Sequence, residues 1–232
     1  DMIYAEGPRL EITNDDIQHL FDLYDDEIRY FDGQLEILVE DLHDRGLLDE
    51  SLLVLTSDHG EEFLEHGHVG HCRGVWDTLT RVPLLFRFPG IDGGHRIAGA
   101  VQLVDVLPTV LDILEIGWDG FTPEGTTLKP VLEGGEPSRA FAFTDQSRFR
   151  AADDGRWQLI LDGVNSTATL FDLVNDPLQG KDLFNANHPE VDRLDVALNT
   201  WLDESGQWVN FDKALAASKA KEEELRALGY LR

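Results

Sequence analysis

Side chains that can hold a metal ion are concentrated in one short segment of this chain. Four of the eight histidines lie between His59 and His71, and Asp58 directly precedes the first of them. The apolar run Leu52–Leu55 comes just before, so we expect a buried strand to bring the Asp58 carboxylate and the His59 imidazole to one place. Carboxylate oxygens suit Ca²⁺ or Mg²⁺, whereas imidazole nitrogens suit transition metals. The pattern predicts that Asp58 and His59 bind one divalent cation.

A structural interpretation of Asp58 and His59 stays open at this point, in which the carboxylate caps a turn and the imidazole forms loop hydrogen bonds. Two side chains also provide fewer ligands than the four that a metal site usually needs. The context favours the metal, because His71 follows in the same loop. A histidine that is cationic or donates a hydrogen bond can hold the oxygen of an anion beside a metal, and we expect this role of His71.

The other polar residues of the segment have weaker interpretations. Arg73 is a candidate for binding an anionic substrate, although pairing with one of the many acids also explains it. Cys72 has no base assigned to it and is expected to be inert. Structural or solvent-facing roles are favoured for the remaining residues, Glu61, Glu62, His66 and His68.

The charge balance of the chain excludes several kinds of partner. Its 232 residues carry 45 acids against 19 bases, a formal net charge of −26, and the acids are scattered along the sequence. Such a surface repels nucleic acid and anionic membranes. It suits high salt, where a Debye length of about 3 Å at 1 M screens the repulsion, so a salt-loving source is predicted. No apolar run approaches the roughly 18 residues of a membrane span. The single cysteine leaves the cellular compartment open.

Hydrophobic periodicity predicts a helix-covered sheet in the first half of the chain. Residues 14–45 have apolar side chains at three- and four-residue spacing, which favours one long amphipathic helix capped by Thr13 or Asn14 and ended by Gly46. The wholly apolar runs at 51–56 and 82–88 are typical of central parallel strands. A further helix is expected at 101–114, with a break or a new start at Pro108.

From about residue 116 the composition changes, with more Gly, Pro and Thr. We therefore predict an α/β fold in two parts: a helix-covered, mostly parallel sheet over residues 1–115, and a small antiparallel α+β subdomain over residues 116–232. The second part is expected to contain three antiparallel strands followed by two helices, at 149–152, 156–161, 168–173, 189–204 and 211–228.

Six segments carry a resemblance to a known family. The segment from Gly46 to Glu61, which contains Thr-Ser-Asp-His-Gly-Glu, resembles the second metal-binding segment of sulfatases, in the alkaline phosphatase superfamily. Five others follow in the family's order, at Glu65–His71, Trp76–Gly90, Val104–Leu111, Leu170–Pro177 with Asp182–Leu183, and Leu225–Leu231. Together they cover nearly the whole chain.

The resemblance implies hydrolysis of sulfate esters in an alkaline phosphatase-like fold. It implies that Asp58 and His59 are two of four ligands to a cation, usually calcium with Mg²⁺ as the alternative, and that His71 grips the sulfate. The family's nucleophile is a formylglycine made from Cys or Ser in a Cys/Ser-x-Pro/Ala-x-Arg motif. That motif and the family's amino-terminal acid pair do not occur in this sequence. We therefore expect a counterpart of the carboxyl-terminal half of a sulfatase, inactive alone and partnered by the missing half.

Two rival functions remain at this point. A phosphoryl-transfer member of the same superfamily, such as a phosphodiesterase, a phosphonate hydrolase or a phosphoethanolamine transferase, also carries Asp-His-Gly. A non-catalytic pseudo-sulfatase would keep the fold and bind a partner. The nature of the ester stays open, because most substrate contacts are expected from elsewhere.

Overall fold

The computed structural model describes residues 12–204, apart from 72, 92, 118–119, 121, 137–138, 147, 166 and 186–187. Cys72 and the helix expected at 211–228 therefore lie outside the described residues. In the described part, no helix combines the length and apolar character needed to cross a membrane. The helices are α1 Asn14–Asp44, α2 Asp77–Thr80, α3 Val106–Ile113, α4 Lys129–Leu132 and α5 Pro189–Glu204. The strands are β1 Leu53–Thr56, β2 Glu62–Phe63, β3 Val69–Gly70, β4 Leu84–Arg87, β5 Ala142–Gln146, β6 Phe149–Asp153, β7 Trp157–Asp162 and β8 Thr167–Asp172.

The long helix α1 begins and ends where the sequence predicts. The Thr13 hydroxyl accepts a hydrogen bond from the Asp16 amide, and the Asp16 carboxylate accepts one from the Thr13 amide, which completes a capping box. Gly46 follows the helix with a φ of +68°, a conformation that favours glycine. None of the 31 residues of α1 is buried. The apolar face that the periodicity predicts therefore exists, but the described residues leave it largely uncovered.

The pairing of β1 departs from the expected parallel arrangement. Within the described residues its neighbour is β4, and the two strands run antiparallel, with Val54 opposite Phe86 and Leu55 opposite Leu85. The chain reverses direction between the two strands, in a stretch that contains Asp58, His59 and His71. Their residues are half-buried or exposed rather than enclosed by helices. The prediction of parallel pairing at 51–56 is thus wrong for the strand neighbour that the structure describes.

The largest sheet consists of β5, β6, β7 and β8 in that order, all antiparallel. Alternate residues of these strands point to opposite faces. One face, which includes Leu159 and Leu170, packs against Leu194, Leu198 and Leu202 of α5. The predicted strands and α5 are confirmed, while β5 was not predicted.

The opposite face of this sheet packs against the residues that follow the loop containing Asp58, His59 and His71. Val75 is buried in one cluster with Ile160, Phe171 and Leu173, and Trp76 packs against that cluster. This contact ties the loop that carries the candidate site to the rigid sheet. The sheet thereby serves as the support on which the loop is held.

Candidate functional site

A short hairpin explains why residues separated along the loop meet. β2 and β3 pair antiparallel, with Glu62 opposite Gly70 and Phe63 opposite Val69. Extended by one residue, this register sets Glu61 opposite His71. The hairpin therefore carries His71 back to the end of β1, where Asp58 and His59 lie.

Gly60 is required by the close packing of this loop. Its amide donates a hydrogen bond to the Leu79 carbonyl, at 2.8 Å between nitrogen and oxygen. A Cβ atom at position 60 would lie 1.9 Å from the Thr78 carbonyl oxygen. Only glycine allows the backbone to approach α2 this closely. The Asp-His-Gly sequence thus combines two donor side chains with the residue that fixes their loop.

The side chains at the hairpin base form one cluster. The rings of His59 and His71 are stacked, with centroids 4.1 Å apart and planes 28° apart. His71 Nδ1 lies 3.0 Å from Glu61 Oε2. The Asp58 Oδ2 atom lies 3.7 Å from His59 Nε2. The structure therefore brings together three of the four residues predicted for the site, Asp58, His59 and His71. It adds Glu61, which the sequence reasoning assigned to solvent or to the surroundings of a metal.

The exposure of this cluster leaves it accessible to ligands. The side chain of Asp58 is 87% exposed, and those of His59 and His71 are 42% and 46% exposed. The pKa of Asp58 is lowered because its carboxylate accepts a hydrogen bond from the His59 amide and lies near the His59 ring. Asp58 is consequently ionised at neutral pH and offers an anionic oxygen. That Asp58 and His59 bind a metal and that His71 binds an anion stay predictions.

A buried polar group below the cluster anchors the loop. Glu62 is fully buried, and its Oε1 atom lies 2.5 Å from Nδ1 of His66. The Nε2 atom of the same ring lies 3.2 Å from the Leu178 carbonyl oxygen, and the ring stacks on Trp76 with centroids 4.1 Å apart. Both ring nitrogens thus face acceptors, and the ring links the loop to the chain after β8. His66 therefore supports the loop structurally, as the sequence reasoning favoured.

Arg73 lines a cleft together with His68 of the same loop. The cleft has a volume of about 660 Å³. Arg148 also lines it, and Nε and a terminal nitrogen of that guanidinium donate to the two oxygens of Asp162, at 3.0 and 2.5 Å. Arg81, which follows α2, donates to the Asp77 carboxylate at 2.6 Å. The other residues lining the cleft are Trp76, Gln146, Phe149, Ile160, Asp162, Thr167 and Thr169.

The Asp-x-x-Pro-Thr segment has a structural role away from the cluster. Asp105 is fully buried, and its carboxylate accepts hydrogen bonds from the amides of Gln102 and Thr126 and lies 3.0 Å from a guanidinium nitrogen of Arg139. The Thr109 hydroxyl donates to the Asp105 carbonyl. This network joins the start of α3 to the loop before α4. A lone Asp within an apolar run was the only sequence signal for it.

Comparison with known proteins identifies relatives of this chain. The sulfatase family model matches residues 5–116. Arylsulfatase K of Danio rerio is 28% identical over 204 residues, which cover 82% of this chain and 39% of that protein. Choline-sulfatase of Rhizobium meliloti is 26% identical, over 95% of this chain and 44% of that protein. The resemblance to sulfatases is therefore confirmed, and the chain spans about two fifths of the length of these relatives.

Solved structures with a similar fold include enzymes of two kinds. BT4656, solved with its substrate D-glucosamine-2-N,6-O-disulfate, superposes with a TM-score of 0.70 at 25% identity, over 78% of this chain and 40% of that chain. The phosphonate monoester hydrolase of Agrobacterium radiobacter superposes with a TM-score of 0.64 at 25% identity, over 97% of this chain and 44% of that chain. These likenesses confirm the α/β class with the alkaline phosphatase-like fold. The predicted boundary near residue 115 stays a prediction.

Proposed function

We propose that this chain supplies half of the metal site and the anion-binding histidine of a sulfate ester hydrolase. The match of residues 5–116 to the sulfatase family model supports this proposal. The observation that carries the proposal is the stacking of His71 on His59 at 4.1 Å, beside the ionised Asp58. In this arrangement Asp58 and His59 bind the cation. The His71 ring donates a hydrogen bond to a sulfate oxygen at the same point.

The donor set of this chain fits a hard divalent cation in part. Asp58 offers an exposed carboxylate oxygen, and His59 offers a ring nitrogen 3.7 Å away from it. Calcium takes six to eight oxygen ligands, so two side chains leave most positions to be filled. A bound cation would supply positive charge that stabilises the negative oxygens of the ester. We propose that the other ligands and the formylglycine nucleophile come from the remainder of the complete protein, since this chain spans 39–44% of its curated relatives.

The apolar face of α1, which the described residues leave largely exposed, supports this division. Its exposed apolar side chains run along a helix of about 46 Å at 1.5 Å per residue, whereas soluble proteins rarely expose a contiguous apolar patch of this extent. Of the described residues, Phe63 of the site hairpin makes aromatic contacts with the stripe, at 4.5 Å from Phe21 and 5.3 Å from Tyr24 between ring centroids. We propose that the nucleophile-bearing half of the protein covers the rest of this apolar face of α1. The exposed apolar residues of the face include Phe21, Tyr24, Ile28, Phe31 and Leu38.

The cleft that contains Arg73 is the proposed site for the sugar or alcohol part of the ester. Aromatic rings and hydroxyl groups line it, a combination suited to carbohydrate. Arg73 and Arg148 both line the cleft, so two guanidinium groups lie in its wall within a strongly acidic protein. The doubly sulfated glucosamine that BT4656 binds is an example of an ester with a second anionic group. A sulfated glycan is therefore the favoured substrate class.

The test uses a panel of sulfate esters with the complete protein and with this polypeptide alone. We expect turnover of aryl or sugar sulfates by the complete protein and none by the polypeptide. His71→Ala and Asp58→Asn should each lower kcat/KM at least a hundredfold in the complete protein. His95→Ala, at an exposed loop position outside the site and the cleft, is the matched control. Turnover of an aryl sulfate by the polypeptide alone would refute the proposed division of the site.

Phosphonate ester hydrolysis is the second candidate function. It is supported by the likeness to the phosphonate monoester hydrolase, which extends over 97% of this chain. The same panel discriminates the two, because phosphonate monoesters and phosphodiesters are included beside the sulfates. Turnover of phosphonates without turnover of sulfates would replace the sulfatase proposal. Loss of all turnover in the complete protein, with ligand binding retained, would favour a pseudo-enzyme.

A further inference from the structure

The cluster at the hairpin base contains a second possible ligand set. One ligand atom from each of His59, Glu61 and His71 can be chosen so that all three lie within 4.8 Å of one another. We propose that these three side chains form a transition-metal site, selective for an ion such as Zn²⁺ over Ca²⁺, in this polypeptide by itself. This site goes beyond the proposed function, in which Asp58 and His59 are the ligands and His71 holds the anion.

The geometry needs little adjustment to accept such an ion. Zinc binds histidine nitrogen and carboxylate oxygen at about 2.0–2.2 Å, so two ligand atoms of a tetrahedral site lie about 3.3 Å apart. His71 Nδ1 and Glu61 Oε2 already lie 3.0 Å apart. The ring of His59 stacks on that of His71 and is nearly half exposed, so it can turn towards the ion without disturbing a packed core.

The types of donor atom select the class of metal. Two imidazoles and one carboxylate suit zinc and other first-row transition ions, whereas Ca²⁺ requires an oxygen-rich set. Asp58 is outside the set of side chains whose ligand atoms all lie within 4.8 Å of one another, although its Oδ2 atom lies 3.7 Å from His59 Nε2. Three protein ligands leave a fourth position for water or an anion, which is the pattern of an open zinc site.

The hairpin explains why the set is complete within this chain. The register that places Glu62 opposite Gly70 also sets Glu61 against His71, and the Gly60 backbone is held against α2 by its hydrogen bond to Leu79. Local pairing thus places Glu61 against His71, and the hydrogen bond of Gly60 holds the backbone next to His59. The cation site of the proposed function, by contrast, needs ligands beyond this polypeptide. Zinc bound here would occupy His71 and compete with the anion that His71 is proposed to hold.

Isothermal titration of the purified polypeptide with Zn²⁺ and with Ca²⁺ tests the site. We expect saturable zinc binding with one ion per chain and calcium binding at least about a hundredfold weaker. Glu61→Gln and His71→Ala should each weaken zinc binding at least about tenfold. Circular dichroism of each variant verifies that the fold is kept.

Two control variants separate this site from the site of the proposed function. His68→Ala changes a histidine of the same loop outside the set, and Asp58→Asn removes the carboxylate on which the other site depends. Both should bind zinc as the unaltered polypeptide does. Unchanged zinc affinity in His71→Ala, or an equal loss in Asp58→Asn, would overturn the inference. A failure of the sulfatase proposal leaves these binding results unaffected, because they need no turnover.

Discussion

Replacing Asp153 by Asn should stabilise the protein at neutral pH and have almost no effect at pH 4. Asp153 ends β6 beside the hairpin turn, where its Oδ1 atom accepts a hydrogen bond from the Gly155 amide at 2.5 Å. Burial raises the pKa of Asp153 to about 6, and the negative charges of Asp77 and Asp154 add to the rise. Arg81 and the Gly155 amide oppose it only in part.

The size of the effect follows from the difference in pKa between the folded and unfolded states. The unfolded value is 3.8 and the folded value is about 6. At 1.36 kcal/mol per pH unit, this difference corresponds to about 3 kcal/mol. Because the pKa of Asp153 is higher in the folded state, the favourable contribution of its protonated carboxyl to folding is fully present below pH 3.8. It is lost as the pH rises through 6. Asparagine keeps the Oδ1 acceptor and does not ionise, so Asp153→Asn should recover up to about 3 kcal/mol at pH 7.5.

Urea unfolding of the wild type and of Asp153→Asn at pH 4.0 and pH 7.5 measures this difference. The free energies of unfolding should be nearly equal at the lower pH and differ by about 2–3 kcal/mol at the higher pH. Asp192→Asn, at an exposed position of α5, is the matched control for the loss of one negative charge. An equal gain at both pH values would mean that charge reduction rather than the buried carboxylate is responsible. No gain at pH 7.5 would refute the reasoning.

Three further predictions concern stability. Asp105→Ala should lower the free energy of unfolding by about 3 kcal/mol in chemical denaturation, because it leaves Arg139 and two backbone amides without their buried acceptor. Hydrogen bonds from Arg148 hold the pKa of Asp162 at about 2, so Asp162→Asn should cost about 2 kcal/mol at pH 7. Since the pKa of Asp162 is lower in the folded state, its stabilising contribution is present above pH 3.8 and is lost as the pH falls through 2. The melting temperatures of the wild type and Asp162→Asn should therefore differ at pH 7 and be nearly equal at pH 2. The net charge of −26 predicts a higher melting temperature in 1–2 M salt than in dilute buffer, and a lower one would contradict a salt-loving origin.

The sequence predicted most residues of the candidate site, but it did not predict that Glu61 lies among them. Asp58, His59 and His71 were recognised from an apolar run followed by donor side chains, and the structure brings the three together. Glu61 was assigned to solvent or to the surroundings of a metal. The sequence does not reveal that the short strands β2 and β3 form a hairpin, which sets Glu61 opposite His71. The burial of Asp105 was missed for a similar reason, since its partners lie up to 34 residues away.

The sequence by itself determined those elements that depend on local chemistry. The Thr13 cap and Gly46 bound α1, and β6, β7 and β8 lie where three strands were predicted. α5 begins and ends at the predicted residues, because capping, turn residues and side-chain patterning act within a few positions. Only the tertiary structure decided the antiparallel pairing of β1 with β4 and how little of the apolar face of α1 is covered by residues 12–204. Strand direction and burial depend on which distant segments meet, and an apolar pattern shows that a face can be covered without specifying what covers it.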